Sequence, residues 1–323
     1  EKMVSKFVSR FADILRIRRI LSMGRFDALV VQTAHDRISL LRDVPLLLAV
    51  RGITPCITLH LHGGHSEWLL APGRSVFKGA SRLLFLLSDG VLVLSTTQKR
   101  ELEQFAPSTT FRVVLNPFLP TGGGQEAGRS PNALPVILFA SRLTAKKGIF
   151  DVLEASARLK ERIPFRLVVA GSGPEAAKVA AKVDALGLRE DVMLCGYLDG
   201  DGLVELYRSA DVFVLPSYDS EGFPTALAEA MNAGLPVVAT RNRGIVDHVR
   251  DGVNALLVSD RAPDEIADAL ERVLRDDALR ARMSAANLDK VATFAPGLVA
   301  KHYLSTLHDI ARLCRQKKAR ACG

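Results

Sequence analysis

Cysteine is scarce in this chain: four in 323 residues, at positions 56, 195, 314 and 322. No CxxC pair and no Cys/His cluster stands in the sequence, so neither a disulfide framework nor a zinc site is read there, and no metal is expected. Aromatic residues make up only 6%, with a single tryptophan. They are not interleaved with the basic residues, which counts against base stacking, and no nucleic-acid partner is expected. Long apolar runs are missing too. The longest, such as residues 44–50 and 83–87, are too short to cross a bilayer as a helix. The opening EKMVSKFVSRFADILRIRR carries charges every few residues and no apolar core segment, so it does not read as a secretory signal. A cytoplasmic location is the expectation.

What is present is ordinary for a globular protein: 48% hydrophobic and 24% charged residues. The length suits two domains. The net charge of +8 is unevenly spread. Residues 1–130 hold 17 Lys/Arg against 10 Asp/Glu, and residues 131–323 hold 26 against 25. A basic half beside a neutral one points to an anionic partner for the first: a phosphate-bearing substrate or an anionic membrane surface.

Strand and helix signals alternate along the chain. Short apolar runs at 26–33, 56–61, 90–95 and 111–116 read as buried strands, with helices at 40–50, 74–87 (apolar residues at helical spacing) and 98–105 between them. Residues 117–135 are rich in glycine and proline without any apolar period, a linker by composition. The alternation then resumes. Strands are predicted at 135–141, 165–171, 191–196, 211–217, 235–240 and 254–259. Helices are predicted near 148–161, 174–186, 202–208, 224–233, 262–274, 277–290 and 295–315, with a frayed basic tail. Continuous apolar strands alternating with helices mean parallel sheets covered on both faces. The fold class is therefore α/β, with two doubly wound, Rossmann-like domains facing a cleft. The divisions are 1–125, 126–294, and a returning helix with its tail at 295–323.

Several clusters carry chemistry. Glu221 and Glu229 lie in SEGFPTALAEAMNAGLPVV, after a strand, around a Gly222-Phe223-Pro224 turn and into a helix. Such a turn offers free N–H groups and the positive end of a helix dipole to a phosphate. The two glutamates could instead complement the dipole and sit on a solvated face. Arg142 and Lys147 in SRLTAKKG follow a strand and could clamp a diphosphate, Arg as a fork and Lys as a point charge, or form a solvated basic loop. Lys146 is the expected solvated neighbour. AGSGPE, with Gly171, is a strand-to-helix turn that lacks the third glycine of a dinucleotide fingerprint, which argues against a nicotinamide enzyme. His60 and His62 point to one face of their strand by alternation, and Gly63-Gly64 permit close ligand approach. His65 reads as structural. The stretch 66–87, read as helical throughout, mixes Trp68, Phe77 and Phe85 with Arg74, Lys78 and Arg82; it could lie on an anionic membrane, or be core on one side and solvated on the other.

In order along the chain, SRLxxKKG at Ser141, VVAGSGPE at Val168, the Glu221/Glu229 pair and EAMNAGLPVV at Glu229 resemble the retaining glycosyltransferases of family 4, the group 1 glycosyltransferases of GT-B fold. That resemblance implies transfer of a sugar from a nucleotide diphosphate sugar with retention of anomeric configuration. It implies a UDP-sugar in preference to a GDP-sugar, no cofactor and no metal. Arg142 and Lys147 would hold the diphosphate, Glu221 the transferred sugar, and Glu229 the ribose. Gly171, Gly196 and Tyr197 would flank the nucleotide, and Gly222 to Thr225 would meet sugar and phosphate. His62, with His60 as alternative and Gly63 and Gly64 beside it, would serve the acceptor side near the reacting carbon.

Two departures stand out. Pro224 replaces the family's usual glycine, a variant of polysaccharide-assembly members, and Gly244-Ile245-Val246-Asp247 replaces a common GxPE segment. The first strand resembles a later one of the family's first domain, so roughly 70 residues, or three strand-helix units, are expected to be absent. An exposed sheet edge would follow. The expected role is cell-surface polysaccharide synthesis, with a polysaccharide or lipid-linked acceptor and peripheral contact of the basic domain with the cytoplasmic membrane. A nucleotide-sugar epimerase of the same fold is opposed by the glutamate pair together with Arg142 and Lys147. A non-catalytic nucleotide-sugar-binding or scaffold protein is the alternative.

Overall fold

A computed structural model describes residues 2–24, 26–116, 118, 133–219 and 224–322, with side chains left undescribed at 2–11, 243 and 320–322. The chain divides into two units, one of residues 1–116 with 299–323, the other of residues 117–298. Most of the expected linker lies outside the described residues.

The first unit holds α1 (Lys2–Met23), β1 (Leu29–Thr33), α2 (Arg37–Val50), β2 (Ile57–Leu61), α3 (Glu67–Leu70), α4 (Ser75–Leu87), β3 (Gly90–Val93), α5 (Thr96–Phe105) and β4 (Phe111–Val113). Its four strands are parallel and lie in chain order. Period-2 alternation divides their side chains between two faces. Ile57, Leu59, Leu61, Val91 and Val93 point to the face covered by α2, α4 and α5, and Ile14, Ile17 and Leu21 of α1 pack onto the same core. Leu92 and Val114 join Ile310, Ala311 and Cys314, from the far end of the chain, on the other. β1 pairs only with β2 among the described residues, so it is a sheet edge.

The second unit contains β5 (Val136–Ala140), a 3-10 turn (Ala145–Lys147), α6 (Ile149–Lys160), β6 (Arg166–Ala170), α7 (Ala176–Ala185), β7 (Val192–Gly196), α8 (Gly200–Ser209), β8 (Val212–Leu215), α9 (Thr225–Asn232), β9 (Val237–Thr240), α10 (Arg243–Val246), β10 (Ala255–Val258), α11 (Pro263–Arg275) and α12 (Asp277–Ala292). The sheet order β10-β9-β8-β5-β6-β7 is the doubly wound order, with its switch point between β5 and β8. β8 and β9 are buried throughout, as continuous apolar strands under two helical layers must be. The last helix, α13 (Pro296–Cys322), starts in this unit and ends in the first.

Two expectations need correction. The stretch 66–87 is two helices, not one. Ala71 is extended because Pro72 follows it, and Gly73 and Arg74 then take left-handed φ values of 77° and 57°. The tail expected to fray is helical to Cys322.

Candidate active site

At the carboxyl ends of β5, β6 and β7 lies a pocket of about 570 Å³, lined by Arg142, Gly171, Tyr197, Tyr207 and Glu229 among others. The turn after β5 is fixed to the turn after β6: Ser141 N–H donates to Ala170 O at 3.0 Å and Leu143 N–H to Ser172 O at 2.9 Å. Gly171 has φ 146°, and a Cβ there would stand 1.9 Å from Ser141 O. Only glycine lets these two turns close into one wall.

Arg142 is exposed at the mouth. Lys147 is half-buried. Burial pulls its ammonium below the ordinary value; Asp219 opposes this, and the nearby Arg142 cation adds to it. Two cations close enough to feel each other are stable company for a dianion. Lys146 is the solvated neighbour, paired with Asp219 at 3.6 Å.

Glu229, on the second turn of α9, is half-buried at the pocket wall. Burial raises its carboxyl pKa, and a hydrogen bond with Tyr207 partly offsets the rise. Pro224 caps α9 with φ −66° and ψ 125° and no side-chain hydrogen bond among the described residues. Leu227 and Ala228 donate to Pro224 O, leaving the N–H groups of Thr225 and Ala226 at the helix start. The loop before them is tied to the end of β9: Ser217 O accepts from Thr240 Oγ1 and from Asn242 Nδ2.

The structure thus gathers Arg142, Gly171, Tyr197 and Glu229 at one pocket. Lys147 on the 3-10 turn, Gly196 at the end of β7, and Pro224 and Thr225 at the start of α9 are not among the lining residues. Glu221, Gly222 and Phe223 lie outside the described residues.

In the first unit, His60 is 3% exposed, and neither ring nitrogen has a hydrogen-bond partner. Burial, then the neighbouring His62, lower its pKa from 6.5 to about 4. His62 is exposed, with its ring 4.0 Å from that of His60. Alternation had placed the two on one face, and the contact follows from it. Gly63 O accepts from Gln98 Nε2 at 3.4 Å. The absent Cβ of Gly64 makes room for Ala34 O, 2.3 Å from where it would stand, so the chain's own backbone already requires glycine here. His65 stacks on Trp68 at 3.7 Å and bonds Glu67, the structural role expected of it.

Two features escaped the sequence. Tyr207, on the inner face of α8, touches Glu229; its spacing marks it only as buried helix. Cys56, Asp89 and Cys314 bring their ligating atoms within 4.8 Å of one another. Asp89 Oδ2 already accepts from Arg51 and from Ile57 N–H. Burial first, then Asp89, pushes the Cys56 thiol up to about 11, which keeps it protonated.

The family described as glycosyl transferases group 1 matches residues 125–289. A D-inositol 3-phosphate glycosyltransferase of Frankia alni is 31% identical over 321 residues, covering 91% of this chain and 76% of that protein. The chain belongs to the group 1 glycosyl transferases. An uncharacterized glycosyltransferase of Methanocaldococcus jannaschii is 40% identical to this family member over 141 residues, 44% of this chain. The match spans only 36% of that relative's length. Among solved structures, HepE of Anabaena in complex with UDP superposes with a TM-score of 0.76 at 19% identity, over 92% of this chain and 82% of that one. At that identity the likeness is one of fold, and the fold is GT-B. Among the described residues, no helix of this group 1 member is long and apolar enough to cross a membrane.

Proposed function

We propose that the protein transfers a sugar from a UDP-sugar to a polysaccharide or lipid-linked acceptor, with retention of anomeric configuration. The observation that carries the reading is the pocket at the switch-point end of the second sheet, where Arg142 and Glu229 face one cavity. A ligand with a diol at one end and a diphosphate at the other matches it. Glu229, when ionised, accepts from two ribose hydroxyls. Tyr197, exposed on the turn after β7, offers a ring to the base. Arg142, Lys147 and the start of α9 supply positive charge to the diphosphate as its bond to the sugar breaks and charge builds on the leaving oxygen. That charge needs no metal ion. Glu221 holds the transferred sugar, and Gly222 and Phe223 carry the backbone N–H groups beside it. His62, with His60 behind it, serves the acceptor side. HepE, whose structures hold UDP and UDP-glucose, supports UDP as the nucleotide.

Cell-surface polysaccharide assembly, with peripheral contact at the inner face of the cytoplasmic membrane, suits the basic first unit. The test is release of UDP from a panel of UDP-sugars, alone and with lipid-linked acceptors. Wild type should turn over at least one of them, and Glu221→Ala and His62→Ala should not. Binding of UDP with no turnover of any donor would assign a non-catalytic role.

A further inference from the structure

The surface formed by α2 and α4 does not belong to the donor site. α2 reads RISLLRDVPLLLAV, apolar at ten of fourteen positions and at every one from Val44 onward. It is buried only on its inner side. Ile38 is 65% and Leu41 68% exposed, and Leu48 continues the same stripe. On α4, packed beside it, Val76 is 85% and Leu86 70% exposed, with Leu83 between them. The two outward stripes flank a groove of about 670 Å³, where Leu41, Val44 and Pro45 of α2 face Val76, Ala80 and Leu83 of α4. Arg37 and Arg74 line the same groove. Arg74 lies 3.6 Å over the ring of Trp68, which holds the guanidinium in place.

The lining of the groove carries two arginines and no carboxylate. α4 contains no acidic residue; Asp43 of α2 is buried against Arg42 at 2.6 Å, and Asp36, which caps α2, lies outside the lining. Arg82 is exposed nearby. Protruding aliphatic side chains with arginines at one end of the groove suit acyl chains beneath anionic headgroups. A second copy docking symmetrically would set these arginines against their own equivalents.

We infer that the α2–α4 face is a membrane-binding surface that docks on a bilayer of anionic phospholipid, with Ile38, Leu41, Val76 and Leu86 entering the acyl region and Arg37 and Arg74 meeting the phosphates. This gives a place to the membrane contact proposed above. It does not depend on the donor pocket, so the two readings fail separately.

The experiment is flotation of the full chain with vesicles of phosphatidylcholine alone and of phosphatidylcholine mixed with phosphatidylglycerol. Wild type should float with the anionic vesicles and far less with the neutral ones, and salt should release it. Val76→Ser with Leu86→Ser, and separately Arg37→Glu, should each lower the bound fraction by roughly tenfold. Leu304→Ser, which removes an exposed leucine on α13, should bind as wild type. Melting curves confirm that each variant is folded. The inference is overturned if wild type ignores anionic vesicles or if the serine variant floats equally well. It is also overturned if the same variant converts a dimer to a monomer while vesicle binding is absent, which would give the face to a second copy.

Discussion

Tyr207 and Glu229 share a hydrogen bond at the wall of the pocket in the second unit. The phenol is 4% exposed on α8, and its hydroxyl also reaches Ala226 O at 3.3 Å, on the same helix as Glu229. The phenol thus links α8 to both the carboxylate and the backbone of α9. Burial alone would hold Glu229 protonated to higher pH; the Tyr207 bond favours the ionised form. Tyr207→Phe should weaken UDP binding by about 1 kcal/mol, several-fold in Kd. It should also move the acid limb of binding to higher pH. Calorimetric titration across pH checks both. A weaker Kd with an unmoved pH limb would mean that the phenol only packs.

Glu229 itself separates stability from binding. Its carboxyl titrates higher in the folded than in the unfolded chain. Such a group favours folding most at acid pH, and that contribution is lost as pH rises through the folded pKa. At neutral pH the half-buried charge costs stability. Glu229→Gln should therefore melt no lower than wild type without ligand, yet lose most of its nucleotide-induced shift. Loss of fold in the glutamine variant would instead assign Glu229 a structural role.

Arg142 and Lys147 are expected to act on the leaving group. Either alanine variant should lower kcat/KM by roughly 10²–10³ with an otherwise good donor. Arg142→Lys should recover little of this, since a point charge does not replace a bidentate fork. Steady-state UDP release measures it. Full activity in Arg142→Lys would show that charge alone matters there.

His60 makes the first unit acid-sensitive. Its pKa falls from 6.5 to about 4 on folding, so its contribution is present above pH 6.5 and is lost as the pH falls towards 4. The size is on the order of 1–3 kcal/mol. With both ring nitrogens buried and unpartnered, His60→Leu should raise stability at pH 7 and flatten the acid limb. Urea midpoints between pH 7 and 4 test this. A less stable variant with the same acid limb would contradict it.

Much of this was legible in the sequence because its cause is local. Strands such as β5 and β8 are short apolar runs ended by polar turns, and a parallel sheet buries them on both faces whatever the neighbours. Glu229 could be placed on a helix behind a strand-end turn, and the pocket lies at that end. Contacts across long sequence separations were not legible. Tyr207 has the period of an ordinary core residue, and Cys56 meets Cys314 only because α13 returns to the first sheet. The outward stripe of α2 was not legible either: most of its residues are apolar, and the sequence does not say which of them the fold leaves uncovered. The break at Pro72-Gly73 carried a local signal, but the surrounding helical period masked it.

Ligand-dependent melting with UDP and with GDP, on wild type and Glu229→Gln, tests the donor pocket most directly. A ligand at 100 times its Kd adds about 2.7 kcal/mol of stability. UDP should raise the melting temperature of wild type, GDP should do so less, and the glutamine variant should lose the shift. If neither nucleotide moves wild type, the pocket between Arg142 and Glu229 is not a nucleotide site and the proposed transfer has no donor.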